Sequence, residues 1–203
     1  MKSAVKTIVL LGPAGSFSYQ ASEWSLFKKH FKKENYKKRF VVSIPQIFRH
    51  VSGENTYGLV PICNKIVGDI PVAVRELKKK KWRILARYRM PVNFVLAARM
   101  KISFAEIKKV YVAKIAAAQC RKFIRVHLKN TRIISNFAST SLAYKKVVQL
   151  KGYSAYSSAA IGSHLGTRLY NLQILADKIQ DDRRDWTEFV LFQREEHKPS
   201  GKP

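Results

Sequence analysis

Apolar positions along the chain fall into short runs separated by charged, glycine-bearing or proline-bearing stretches. Nine runs read as strands from their length and their enrichment in Val, Ile, Tyr and Phe: 7–11, 40–43, 57–61, 84–89, 92–98, 109–112, 131–135, 153–157 and 187–193. Between them, helical spacing predicts helices over about 19–33, 70–79, 116–127, 139–150 and 159–170. In the first, Trp24, Phe27 and Phe31 form a core stripe, which leaves Lys28, Lys29, Lys32 and Lys33 on other faces. The last is rich in Ala, Gly and Ser and is expected to pack closely. This alternation argues an α/β protein with mostly parallel sheets.

The chain has 203 residues, enough for one large domain or two lobes with a real core. A hydrophobic fraction of 46% excludes a disordered chain. No apolar run approaches the roughly 18 residues of a membrane-spanning helix, and no membrane partner is expected. The apolar run Thr7–Leu11 is too short for a secretory signal and reads as a buried first strand, so a secreted protein is not expected. Cys63 and Cys120 make no disulfide framework, which fits a reducing compartment. The histidines are scattered, so neither a metal site nor a cofactor is expected.

Charge changes the picture most. Lys plus Arg number 39 and Asp plus Glu 13, a formal net charge of +26. Seven of the 13 acids lie in 177–196. One dense basic stretch holds Lys28, Lys29, Lys32, Lys33, Lys37, Lys38 and Arg39. Another holds Lys78, Lys79, Lys80, Lys81, Arg83, Arg87 and Arg89. Each contains or adjoins a single acid, Glu34 or Glu76, so mutual repulsion asks for counter-charge from a partner. Tyr36, Trp82 and Tyr88 stand among these residues, either to stack on bases or as ordinary core.

Gly12-Pro13-Ala14-Gly15-Ser16-Phe17-Ser18 follows the first strand and opens a helix. It lacks a Gly-Lys-Ser/Thr element and reads equally as a structural turn or as an anion-binding loop through Gly15 and Ser16. Ser139-Thr140-Ser141 precedes a helix, where capping is the commoner role and binding of a carboxylate or phosphate the other. Cys63 ends a strand without a nearby histidine and reads as an ordinary cysteine.

Together these segments resemble the catalytic domain of prephenate dehydratase from Gly12 to Phe192. Gly12–Ser18 follows the family's Gly-Pro-x-Gly-Thr-Phe-Ser. Val60–Lys65 follows Val-Pro-Ile-Glu-Asn-Ser in part, and Ala118-Gln119-Cys120 ends a longer central segment. Ser139-Thr140-Ser141 stands for Ser-Thr-Ala. Ala159–Ile161, Leu172–Leu175 and Ile179–Asp181 follow later segments, and Thr187-Glu188-Phe189 stands for Thr-Arg-Phe. The resemblance implies a two-lobed fold like that of type II periplasmic binding proteins, with an interlobe cleft. One lobe would take 1–90 and 172–196, the other 91–171, leaving 197–203 as a basic tail. It also implies Thr187 as proton donor, with Asn64, Ser139 and Thr140 orienting substrate. Gly15, Ser16 and Ser141 would hold an anion in the cleft. The segment depended on for phenylalanine regulation in the family is not expected here.

The departures are specific. Cys63 and Lys65 replace Glu and Ser, Ala113 and Ile115 replace His and Gln, and Glu188 replaces Arg. An acid at 188 would repel a dicarboxylate. Charge and departures together predict a catalytically degenerate member acting as an RNA-binding structural component of a ribonucleoprotein. The basic residues named above would contact ribosomal RNA beside neighbouring proteins of a large assembly. A mitochondrial or other organellar matrix is favoured, with a bacterial cytoplasm as the other setting. The alternative is an active dehydratase that converts prephenate to phenylpyruvate. A third reading keeps a small carboxylate in the cleft without turnover.

Overall fold

The computed structural model describes residues 5–24, 27, 29, 31 and 36–195. The predicted contacts at Lys28, Lys32 and Lys33 and the predicted tail 197–203 lie outside the described residues. The strands are β1 (Lys6–Leu11), β2 (Tyr36–Val41), β3 (Thr56–Asn64), β4 (Gly68–Asp69), β5 (Trp82–Pro91), β6 (Phe94–Ala98), β7 (Lys109–Ala113), β8 (Arg132–Phe137), β9 (Ser158–Ser163), β10 (Gln173–Ala176) and β11 (Trp186–Arg194). The α-helices are α1 (Phe17–Glu23), α2 (Ile44–His50), α3 (Pro71–Leu77), α4 (Lys114–Gln119), α5 (Arg121–His127), α6 (Thr140–Gln149), α7 (Tyr153–Tyr156) and α8 (His164–Leu169).

The chain divides into two compact units. One contains Met1–Gly12, Ala21–Met90 and Trp186–Pro203; the other contains Pro13–Gln20 and Pro91–Asp185. Residues 172–185, assigned to the first lobe from the sequence, therefore cluster with the second unit, as does the Gly15 loop.

In the first unit the sheet order is β2-β1-β3-β11-β5, with β4 paired to β3. β1 runs parallel to β2 and β3, whereas β11 runs antiparallel to β3. Val9, Val60, Val190 and Phe192 of this sheet pack on Ile47, Phe48 and Ala73 of α2 and α3. Gly58 faces Phe192 in the β3–β11 register, and the Phe192 ring occupies the space a Cβ at 58 would need.

The second unit repeats the plan in the order β10-β6-β9-β7-β8. β7 runs parallel to β8 and β9, and β6 runs antiparallel to β9. Alternate residues feed two cores. Phe94, Leu96, Val110, Val112, Ala159 and Ile161 face one; Val95, Ala97, Tyr111 and Ala160 face the other, beneath Ala143, Tyr144 and Val147 of α6. Each sheet is thus mixed, because a strand returning from elsewhere in the chain is inserted beside its parallel triplet.

Two expected elements exchange character. Residues 153–157, read as strand, form α7, and the predicted helix over 159–170 is β9 followed by α8. Every residue of β9 is buried, since it lies between β6 and β7 with both faces covered. A run buried on both faces has no alternation, and alanine-rich composition then favours the wrong period. Gly162 belongs here for close approach: a Cβ would come within 2.6 Å of the Tyr144 ring.

The basic stretches have a local explanation. Lys37 and Arg39 are exposed on β2, and Arg83, Arg87 and Arg89 on β5; these strands are the two edges of their sheet. Charged side chains on edges block pairing with other chains. Counter-charges come from distant segments: Lys38 pairs with Glu23, and Arg87 and Arg89 with Glu188. Lys79 bonds Glu76 at 2.8 Å, and Lys81 lies over the Trp82 ring. Lys29, Lys78 and Lys80 are solvent-exposed. Trp82 and Tyr88 are each only 7% exposed, so they serve the core rather than stacking on bases. Tyr36 packs edge-on against Phe27.

Replacing Gly58 by Ala should overpack the β3–β11 core and lower stability by about 1–3 kcal/mol in urea unfolding, and trimming Phe192 to Leu in the same chain should recover part of that loss.

Candidate active site

In the first unit, β1 and β3 run parallel, β3 continues past the end of β1, and antiparallel β11 begins opposite the end of β3. Carboxyl ends of strands beside a reversal of strand order are where open α/β sheets place ligands. Asn64 is the last residue of β3 and pairs in register with Thr187 of β11. Its Nδ2 donates to the Trp186 carbonyl at 2.9 Å and to Thr187 Oγ1 at 3.1 Å. Its Oδ1 accepts from the backbone N–H groups of Ile66 and Val67, both at 3.0 Å. The Lys65 N–H also donates to the Trp186 carbonyl, at 3.0 Å. One amide therefore closes the turn after β3 and anchors the start of β11.

The next residue points the other way, since successive strand residues face opposite sides. Glu188 lies with Cys63, its register partner, and the ladder shifts between Glu188 and Phe189. Such a bulge re-aims the side chains beside it. The Glu188 carboxylate accepts from Arg89 Nε at 3.0 Å, and Arg87 approaches it to 3.7 Å. The Arg89 guanidinium also lies 4.2 Å from the centre of the Trp186 ring. The charge expected to repel a dicarboxylate is thus neutralised, and it sits on the opposite sheet face from the Thr187 hydroxyl. Partial burial, then a hydrogen bond and charge from Asp69 and the charge of Glu188, push the Cys63 thiol above its usual range. Cys63 is held protonated and is no activated nucleophile.

In the second unit, Ser139 caps α6 by accepting from the Leu142 N–H at 3.3 Å. Thr140 is buried at the first turn, and the buried Ser141 Oγ has no hydrogen-bond partner among the described residues. Gly15 adopts φ +86°, and a Cβ there would sit 3.0 Å from Ser141 Oγ, so its loop packs tightly on this helix start. The Gly15 carbonyl accepts from Ser163 Oγ at 2.9 Å, while Ser16 Oγ accepts from the Tyr19 N–H at 3.2 Å. Ala113, at the end of β7, is buried and Ile115 is exposed, so two positions polar in the resemblance are apolar here.

The structure thus unites Asn64 with Thr187 in one unit and Gly15 with Ser141 in the other. It adds Arg89, Trp186 and Glu188, whose association the sequence analysis missed. The available signal was the Arg87-x-Arg89 period of two, which places both arginines on one face of a strand.

Against known families, the prephenate dehydratase model matches residues 8–197. The chain belongs to the prephenate dehydratase family. A bifunctional chorismate mutase/prephenate dehydratase of Buchnera aphidicola is 30% identical over 188 residues, covering 91% of this chain and 46% of the relative. The prephenate dehydratase of Methanocaldococcus jannaschii is also 30% identical, covering 92% of this chain and 64% of that protein. A solved prephenate dehydratase from Arthrobacter aurescens, in complex with L-Phe, superposes with a TM-score of 0.77 at 26% identity, covering 97% of this chain and 63% of that one. The chain spans about half the length of the bifunctional relatives it matches. Membership of the prephenate dehydratase family corrects the expectation of an RNA-binding component of a mitochondrial or other ribosome. That expectation took the basic runs as uncompensated, whereas Lys38, Lys79, Arg87 and Arg89 each meet an acid and others stand on edge strands.

The carboxylate next to Cys63 sets a sign for pH behaviour. Neutralising it in Asp69→Asn should lower the thiol pKa and speed native-state alkylation at pH 8 by a few-fold. Buried Cys120, whose thiol burial pushes up strongly, should stay unreactive in both proteins.

Proposed function

We propose that this chain catalyses the dehydration and decarboxylation of prephenate to phenylpyruvate. The observation that carries the reading is the hydrogen bond from Asn64 Nδ2 to Thr187 Oγ1 at 3.1 Å. Because the Thr187 oxygen accepts there, its own hydrogen is directed elsewhere and is available to a leaving group. Thr187 donates that proton to the ring hydroxyl as the carbon–oxygen bond breaks, and water departs. The ring carboxylate leaves as carbon dioxide, and its bonding electrons complete the aromatic ring. A threonine hydroxyl is a weak acid, so the negative charge developing on Oγ1 needs a donor already in place. Asn64 supplies one without reorganisation, since its other contacts fix the amide.

The family relatives named prephenate dehydratase support the same substrate. In the second unit, the start of α6 is suited to a carboxylate: the helix dipole, the Thr140 backbone and the unpartnered Ser141 hydroxyl favour an anion. Ala113 and Ile115 offer no side-chain hydrogen bonds, so substrate recognition rests more on backbone and hydroxyl groups here.

Prephenate turnover, followed by the appearance of phenylpyruvate, tests the reading. The parent chain should be active, Thr187→Ala should lose at least about 100-fold in kcat, and Thr187→Ser should retain most of it. A parent chain without turnover, or a Thr187→Ala chain as fast as the parent, would reject it.

A further inference from the structure

Arg89 grips both neighbours of Thr187. Its guanidinium covers the Trp186 ring at 4.2 Å, and its Nε bonds the Glu188 carboxylate at 3.0 Å. Thr187 lies between these two residues, at the beginning of a strand, where fraying is the default. On its other side, β3 holds the Trp186 carbonyl through Asn64 and Lys65. Beyond Glu188 the register shifts, so the ladder alone does not fix the segment. Arg89 lies on β5, at the edge of the sheet, with no further strand outside it among the described residues.

We propose that Arg89 is a positioning residue for the Thr187 hydroxyl. It acts from the opposite sheet face and does not touch substrate at the Thr187 side. The proposal rests on the dehydratase reading for its consequence in catalysis, but its structural content stands apart. A planar guanidinium suits both contacts at once: its face stacks on the indole while its edge donates to the carboxylate. Glutamine retains neither in full. Lysine keeps the charge but loses the fork and the flat face. Small displacements of a reacting group are costly in rate while leaving binding groups elsewhere untouched. The effect should therefore appear in kcat rather than KM.

The test uses the whole chain as Arg89→Gln, Arg89→Lys and, as a control on the same strand, Arg83→Gln. Turnover of prephenate is measured beside the 13C-methyl resonance of Thr187, assigned by its loss in Thr187→Ser. Arg89→Gln should lower kcat about tenfold with KM within about twofold, and its Thr187 methyl signal should move toward a rotamer-averaged position. Arg89→Lys should recover part of both changes, and Arg83→Gln should alter neither. An Arg89→Gln chain with kcat within about twofold of the parent and an unmoved methyl signal would overturn the proposal. So would a raised KM at constant kcat, which would make Arg89 a substrate ligand. A parent chain without turnover would reject the dehydratase reading, and the methyl signal alone would then decide the positioning role.

Discussion

The Asn64 side chain is the point on which the first unit's site turns. It is only 8% exposed, and both ends of its amide are engaged. Two donor contacts reach β11 and two acceptor contacts close the following turn. A buried amide with this many partners resists substitution, because each lost contact strands a backbone or hydroxyl group away from water. The amide thus joins three things that the chain supplies from far apart: the end of β3, the loop beyond it and the hydroxyl at 187.

The charge distribution illustrates a different constraint. The net charge of +26 already counts every acid, so what pairing changes is where the excess sits and not its size. Glu23 and Glu188 lie far along the chain from the cations they meet, so no window of sequence reveals the pairing. Burial decides the aromatics similarly. Trp82 packs at an angle against Phe48 and edge-on against Phe192 inside the first unit, although charged neighbours flank it in sequence.

Much of the architecture was legible because most strands are short apolar runs bounded by turn residues. β9 was not, since Ser158–Ser163 is buried on both faces and carries small side chains that offer no period. Helix α2 was not among the predicted helices; it is only seven residues long, with Pro45 near its start, where proline is tolerated. Thr187 and Asn64 were legible through the family resemblance, yet their contact is a matter of register between residues 123 positions apart. Glu188 was legible as a departure but not as a pairing, because Arg89 reaches it only once β5 is laid beside β11.

The strand order has a consequence for the order of assembly. β11 is the last of the described strands to be made, yet it sits between β3 and β5. Until it emerges, β5 has no place in the sheet, and the first unit cannot close. Most of the second unit is an uninterrupted stretch, Pro91–Asp185, completed earlier in synthesis. Vectorial translation therefore favours the inserted unit as the first to consolidate, with the enclosing unit waiting on a long-range closure that is slow by its sequence separation. Thr187 arrives on that closing strand, so the proposed acid is delivered by the same event that completes the fold.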